Sequence, residues 1–429
     1  MSEAESLVAS DERDRSEDAF QAEVRSHLRR NYLSHLAHGL LGQTGFRLLN
    51  APTFIPTYFE LLSGSPFYAG LARALQSFGM FLSPILGATI IEHRRRVLPV
   101  GFVVGSAMRV QVLGLGLAGL LITGSWSLAA SLAFLGLFGF FLGMQGVIFN
   151  FLVSKVIPVE RRGFLLGLRN ALAGITATSV GLIGGLLVER NALGNGYAAT
   201  FLLAFGLTAF GLCMLLFVRE PESPIVRRPS NVGDRLRDLP ALLRADPDFT
   251  RYFVARAMAT MGRMSVPFYI LYAGTRIEVG GTELGWLTSA FVASQSFFNL
   301  GWGLLADRHG FRLVFVASVA LWIATALVLM SASSFGMLVA VFAGLGAGLG
   351  GFQLSAQSLV LEFGSRRNLP MRIAVANSTS ELVGAVGPLL GGLLAVTVSY
   401  VSVFWTATAF QLASLFIVLR YVHEPRGRN

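Results

Sequence analysis

The sequence predicts an all-α membrane protein: twelve transmembrane helices in two pseudo-symmetric bundles of six. Three observations predict it. Of 429 residues, 53% are hydrophobic and 14% charged, whereas a soluble domain carries about 25% charged residues; the mean hydropathy is +0.62. The apolar residues fall in runs longer than the ~18–20 residues that cross a bilayer as a helix. The basic residues gather at alternate ends of successive runs.

Taken in order, the apolar segments span roughly 33–62, 67–91, 97–122, 127–154, 163–188, 197–218, 251–274, 284–306, 312–332, 335–363, 370–396 and 400–421. The longest polar stretch, 219–250, carries Pro221, Pro224 and Pro229 and a basic amphipathic run around Arg235–Arg244. It divides the chain into a tail (1–32), a first bundle (33–218), a central linker (219–250), a second bundle (251–421) and a short second tail (422–429). The first tail lacks the basic-then-apolar pattern of a cleaved signal peptide and is expected in the cytosol. Abundant glycine (48 residues) fits membrane helices.

Arginine and lysine set the orientation, because basic loops stay in the cytosol. With both ends cytosolic, 26 of the 34 basic residues lie in cytosolic tails and loops, and the opposite loops hold only Arg190 and Arg276. A single lysine, Lys155, among many arginines suggests a GC-rich bacterial genome, and so a bacterial cytoplasmic (inner) membrane. The net charge of +10 comes from short inter-helix runs rather than a continuous face, so no nucleic-acid partner is expected. The lone cysteine, Cys213, excludes an intrachain disulfide.

The halves resemble each other. Leu165–Leu187 aligns with Arg372–Leu394 at an offset of 207, matching Asn170 with Asn377 and Gly184-Gly185 with Gly391-Gly392. These are segments five and eleven, so the repeat unit is six helices. Paired glycines permit close helix contact in lipid.

Between segments eight and nine stands Gly303-Leu-Leu-Ala-Asp307-Arg308-His309-Gly310-Phe311-Arg312. This run resembles the G-x-x-x-D-R-x-G-x-R loop signature of the major facilitator superfamily. The resemblance, with six-plus-six segments and a long central loop, covers the whole chain. It implies a secondary transporter that works by alternating access, with segments one, four, seven and ten lining a central cavity. It also implies gating by the loop: Asp307 near a helix N-terminus, and Arg308 pairing with Glu362 at the end of segment ten. The matching first-half loop, Glu92-His93-Arg94-Arg95-Arg96, departs from the pattern; Glu92 stands in for the aspartate beside Arg94, and the following glycine is missing. Segment eleven carries Gly387-Pro388-Leu-Leu-Gly391-Gly392, which resembles an antiporter motif of segment five, but segment five here has Val180-Gly181 instead.

Charges inside a membrane cost roughly 2.5–3.5 kcal/mol on translocon scales and mark function. Arg47 lies near the middle of segment one and Arg263 near the middle of segment seven, the equivalent helix, each followed by a proline (Pro52, Pro267). Facing one cavity, they would bind an anion, since guanidinium forks suit carboxylate or phosphate; internal pairing is the alternative. Glu381, deep in segment eleven, is a candidate proton carrier or a permanent partner of Arg263. Arg109 is expected to be structural, and Arg73, Arg169 and Arg256 to snorkel from segment ends.

Neutral polar residues on cavity segments extend the candidate site: Asn50, Gln145, Asn150, Gln295, Asn299, Gln353 and Gln357. Tyr58, Tyr269 and Tyr272 are candidates for an outer gate or an interface belt. No phosphate-binding loop is present, and the six histidines form no convincing metal set, so neither ATP, a metal nor a cofactor is expected and the chain reads as no enzyme. The expected function is proton-coupled transport of a small organic anion, or of an amphipathic compound with an anionic group, by a monomer. Efflux of hydrophobic or drug-like compounds and a non-transporting sensor are the alternatives.

Overall fold

The computed structural model describes residues 18–223, 247–362 and 369–422, and these are helical almost throughout. The helices are α1 (Leu28–Asn50), α2 (Phe54–Ser63), α3 (Pro66–Ile91), α4 (Leu98–Leu121), α5 (Gly124–Val156), α6 (Val159–Glu189), α7 (Gly196–Cys213), α8 (Pro247–Met261), α9 (Phe268–Gly274), α10 (Gly281–His309), α11 (Phe311–Ser331), α12 (Phe335–Glu362), α13 (Leu369–Thr397) and α14 (Tyr400–Tyr421). Among the described residues, nine helices have the length and hydropathy to cross a membrane. The other three spans are α1 with α2, α8 with α9, and the more polar α10.

Two spans expected as continuous are broken. Pro52 has no N–H and disfavours the α region at the preceding residue; Ala51 is extended, at φ −60° and ψ 145°, and ends α1. In the seventh span, a 3-10 turn over Gly262–Ser265 separates α8 from α9, and Pro267 stands before Phe268. Breaks of this kind are tolerated in a membrane where the freed backbone faces a cavity or protein rather than lipid. Arg47 lies in the last turn of α1, and Arg263 inside the 3-10 turn.

The two halves meet along two seams, α6 against α10 and α13 against α3. The glycine pairs of the repeat make both. A side chain at Gly185 would lie 2.5 Å from Gly281 O and 2.6 Å from Gly285 Cα across the first seam. A side chain at Gly392 would lie 3.0 Å from Phe67 O across the second. Their neighbours face inward instead: Gly184 abuts Phe54 in the first span and Gly391 abuts Met264 and Phe268 in the seventh. One duplicated dipeptide thus performs the same two packing tasks in each half.

Among the described residues, the polar contacts across the seams lie at mid-depth or towards the face opposite the termini. Thr53 and Thr288 share a buried hydroxyl bond of 2.7 Å, and Ser289 Oγ donates to Thr178 O at 2.7 Å. Nearer that far face, Tyr400 OH donates to Glu60 Oε1 at 2.9 Å, and Thr282 N donates to Glu189 Oε2 at 3.1 Å. The second contact places a carboxylate of one half on the N-terminus of α10 in the other, where the helix dipole favours it. The halves are therefore joined at the far face.

Candidate functional site

Between the halves lies a cavity of about 420 Å³, walled by the first, second, fourth, seventh, eighth, tenth and eleventh spans. Arg47, Asn50, Arg263, Gln295, Gln353, Gln357 and Glu381 all line it. So do Arg73, Gln76, Arg256 and Thr260. Four guanidinium groups and one carboxylate therefore face a single space.

Three of the four guanidiniums have neutral partners. Arg47 Nη1 donates across the seam to Ser296 Oγ at 2.6 Å. Arg73 Nη1 donates to Gln76 Oε1 at 2.9 Å and Asn50 Oδ1 at 3.3 Å; Gln76 Nε2 donates to the same Asn50 oxygen at 2.9 Å. Asn50 thus acts as a hub that orients Arg73, rather than a free group on the wall. Arg256 Nη2 donates to Asn377 Oδ1 at 3.0 Å, while its Nε and Nη1 are buried without a hydrogen bond. Glu381 Oε2 is likewise buried and without a hydrogen bond. Among the described residues, the ion pairs are Arg95 and Arg96 with Glu222, Lys155 with Glu220, and Arg251 with Asp248. No cavity residue takes part, so Glu381 does not form the ion pair with Arg263 that its burial raised as an alternative.

Arg73 and Arg256 correct the expectation of snorkelling. Both lie on helix faces turned to the cavity, and nearness to a segment end along the chain says nothing about that face. Helical spacing carries the missed signal: Ala69, Arg73, Gln76 and Met80, at steps of four, three and four, all line the cavity, as do Arg256, Thr260 and Arg263.

Gln145 and Asn299 are outside the cavity lining. Gln145 is buried within the first half, against Gly105 and beside Arg109. Asn299 lies exposed one helical turn beyond Gln295, both abutting Gly350, and Asn150 is exposed. Arg109 donates to Thr208 O and Gly105 O inside the first half. Arg169, expected to snorkel, is 3% exposed and sits 4.4 Å over the Phe149 ring. The tyrosines pack inside their own halves: Tyr58 bonds Ser131, Tyr269 bonds Thr325 and Tyr272 donates to Met330 O.

At the face bearing the termini, both motif loops are tied to the last span of their own half. Gly310, at φ +83°, makes the reversal from α10 to α11 in a region that favours glycine. Arg312 Nη2 donates to Val418 O and Leu419 O in the last turn of α14, the negative end of that helix. Gly303 and Asp307 belong to α10 itself, Asp307 in its last turn and four residues before α11 begins at Phe311. The expected Arg308–Glu362 pair is not formed: Arg308 is exposed to solvent, and anchoring the loop falls to Arg312. In the first half, Glu92 caps α3, and Arg94 Nε donates to Ile90 O at 3.1 Å. The residue the sequence did not single out is Glu220. Its carboxylate accepts from Val97 N, Leu98 N and Lys155 Nζ, each at 2.7 Å, tying the start of α4 to the end of α5 and the exit of α7.

A family model of the Major Facilitator Superfamily matches residues 39–270 and 252–429. The chain belongs to that superfamily and is an integral membrane transporter rather than an enzyme. It is 27% identical over 385 residues to the "Multi-drug resistance efflux pump PmrA homolog" of Lactococcus lactis subsp. lactis, covering 86% of this chain and 88% of that one. It is 34% identical over 385 residues to "Multidrug resistance protein MdtG" of Serratia proteamaculans, covering 85% and 82%. Its fold matches the xylose transporter XylE from E. coli in a partially occluded inward open conformation, with a TM-score of 0.70 at 11% identity, over 94% of this chain and 100% of that one.

Proposed function

We propose that this transporter moves small organic anions, or amphipathic compounds bearing an anionic group, in exchange with or together with protons. The observation that carries the reading is the charge of the cavity: Arg47, Arg73, Arg256 and Arg263 against Glu381 alone. A buried charge without a partner costs several kcal/mol, so this space favours an anionic occupant. Arg47 and Arg263 sit at the breaks of equivalent spans, where they clasp the substrate from both halves. Glu381 carries the proton, and gating runs through the loops around Glu92, Arg94, Asp307 and Arg312. The protein lies in a bacterial cytoplasmic membrane as a monomer, with the tails 1–32 and 422–429 and the linker 219–250 in the cytosol. In that orientation the joined far face is external and the cavity is presented to the cytosol.

Efflux of drug-like compounds is the second reading, supported by the names of the two relatives and by the apolar part of the wall, which includes Phe291, Phe352 and Leu142. Transport into proteoliposomes, driven by an imposed pH gradient, separates the two. Movement of an anionic fluorophore, lost in Arg47→Ala and in Arg263→Ala, supports the anion reading. Movement of a lipophilic cation, unaffected by both changes, removes it.

A further inference from the structure

The cavity holds more positive charge than a single anionic group requires. Two guanidiniums come from the first half, Arg47 and Arg73, and two from the seventh span, Arg256 and Arg263. With Glu381 ionised, four cations and one anion leave a net charge of +3; with Glu381 protonated the charge is +4. Among the described residues, the hydrogen bonds of these arginines end on neutral oxygens: Ser296 for Arg47, Gln76 and Asn50 for Arg73, Asn377 for Arg256. These partners orient the forks and neutralise nothing. Arg256 also keeps two buried nitrogens, Nε and Nη1, without an acceptor.

Resting on the anion reading above, we infer that the substrate carries at least two anionic groups, carboxylate or phosphate, set apart so that one lies against Arg47, which reaches Ser296 at the α6–α10 seam, and the other against Arg73, Arg256 and Arg263, which lie towards the α3–α13 seam, Arg256 on Asn377 and Arg263 beside Gly384 and Ser77. A single carboxylate can satisfy one guanidinium fork well and leaves the cations at the opposite seam uncompensated. A second anionic group removes that burden and ties the two halves to one molecule. Size agrees: about 420 Å³ is within the range of pockets that enclose a small organic ligand. The apolar wall at Phe291 and Phe352 is left for a short hydrocarbon spacer between the charged ends.

The test is titration calorimetry of the purified full-length protein at constant ionic strength. The probes are succinate with butyrate, matched in carbon number, and glycerate 3-phosphate with glycerol 3-phosphate, the same three-carbon skeleton with and without a second anionic group. Wild type is expected to bind the member of each pair with two anionic groups about tenfold more tightly or better. Arg73→Gln and Arg256→Gln are each expected to bring that ratio towards one, and Arg73→Lys and Arg256→Lys, which keep the charge, to restore much of it. A preference in the succinate pair alone assigns two carboxylates; a preference in the phosphate pair alone assigns one phosphate and one carboxylate. Equal affinity in wild type for probes with one and with two anionic groups, or a ratio that survives both glutamine variants, overturns the inference while leaving the anion site intact. Absence of binding by every probe, those with one anionic group included, overturns it together with the anion reading.

Discussion

Arg47 of the first half reaches Ser296 of the second, its Nη1 2.6 Å from the serine Oγ. Ser296 Oγ itself donates to Val292 O at 2.8 Å, so the acceptor is held by its own helix. The contact puts a cation of one half against the opposite wall at the depth of the cavity. A substrate that draws on Arg47 therefore competes with, or replaces, a bond between the halves, which links occupancy of the site to the relation of the two bundles.

Arg47→Ala and Arg263→Ala should each weaken anion binding by roughly 10–100-fold, the worth of a charge-assisted hydrogen bond of about 1.5–3 kcal/mol. Size-exclusion behaviour should not change. Equilibrium binding of the transported anion checks this; affinities within a factor of two of wild type would remove both arginines from the site.

Glu381→Gln should keep anion binding and abolish the dependence of transport on a pH gradient, because the amide mimics a permanently protonated carboxyl group. Initial rates in proteoliposomes with and without the gradient provide the check. A gradient effect of undiminished size would place the proton carrier elsewhere.

Tyr400→Phe removes the bond to Glu60 that joins the halves at the far face. Such a bond contributes about 0.5–1.5 kcal/mol, so the far face should open more often. In a Cys213→Ala background, which is free of cysteine, a cysteine at cavity residue Ile55 should then react faster with an impermeant maleimide from that side. No change in labelling would show that Glu60 and Tyr400 do not restrain the gate.

Glu220→Ala should destabilise the first half by about 3–5 kcal/mol, since it strands a buried lysine: the side chains of Lys155 and Glu220 are 4% and 3% exposed. A combined Lys155→Met and Glu220→Leu change should recover much of the loss as read by thermal unfolding. Part of the deficit should remain, because Glu220 also accepts the backbone N–H groups of Val97 and Leu98.

Gly185→Val should cost roughly 1–3 kcal/mol by overpacking, because the backbone of α10 occupies the space a side chain would need. The loss should be seen in thermal unfolding; a variant as stable as wild type would show that the seam between α6 and α10 yields readily.

The fold was legible because lipid imposes long apolar runs and basic loops impose an alternation, and both survive in a single sequence. The Gly184-Gly185 and Gly391-Gly392 pairs even carried the internal symmetry. What stayed hidden depends on rotation about a helix axis. Gln145 has the right chemistry on a cavity span but turns to Gly105 and Arg109, while Arg73 and Arg256 look peripheral along the chain and face the centre; Asn299 shares a side of α10 with Gln295 but lies one turn beyond the cavity. The break at Ala51 was marked by Pro52 but not recognisable as a break, since a proline in a membrane helix often only bends it. Glu220 was hidden by distance, as its three donors come from positions 97, 98 and 155.

The most direct measurement is a thermal-shift screen of the purified protein against anionic, neutral and cationic small molecules, repeated with Arg47→Ala. A ligand that binds only the folded state raises its stability by mass action. The account predicts stabilisation by anions that is lost in the variant. Stabilisation by lipophilic cations alone, or by anions equally in both proteins, would contradict it.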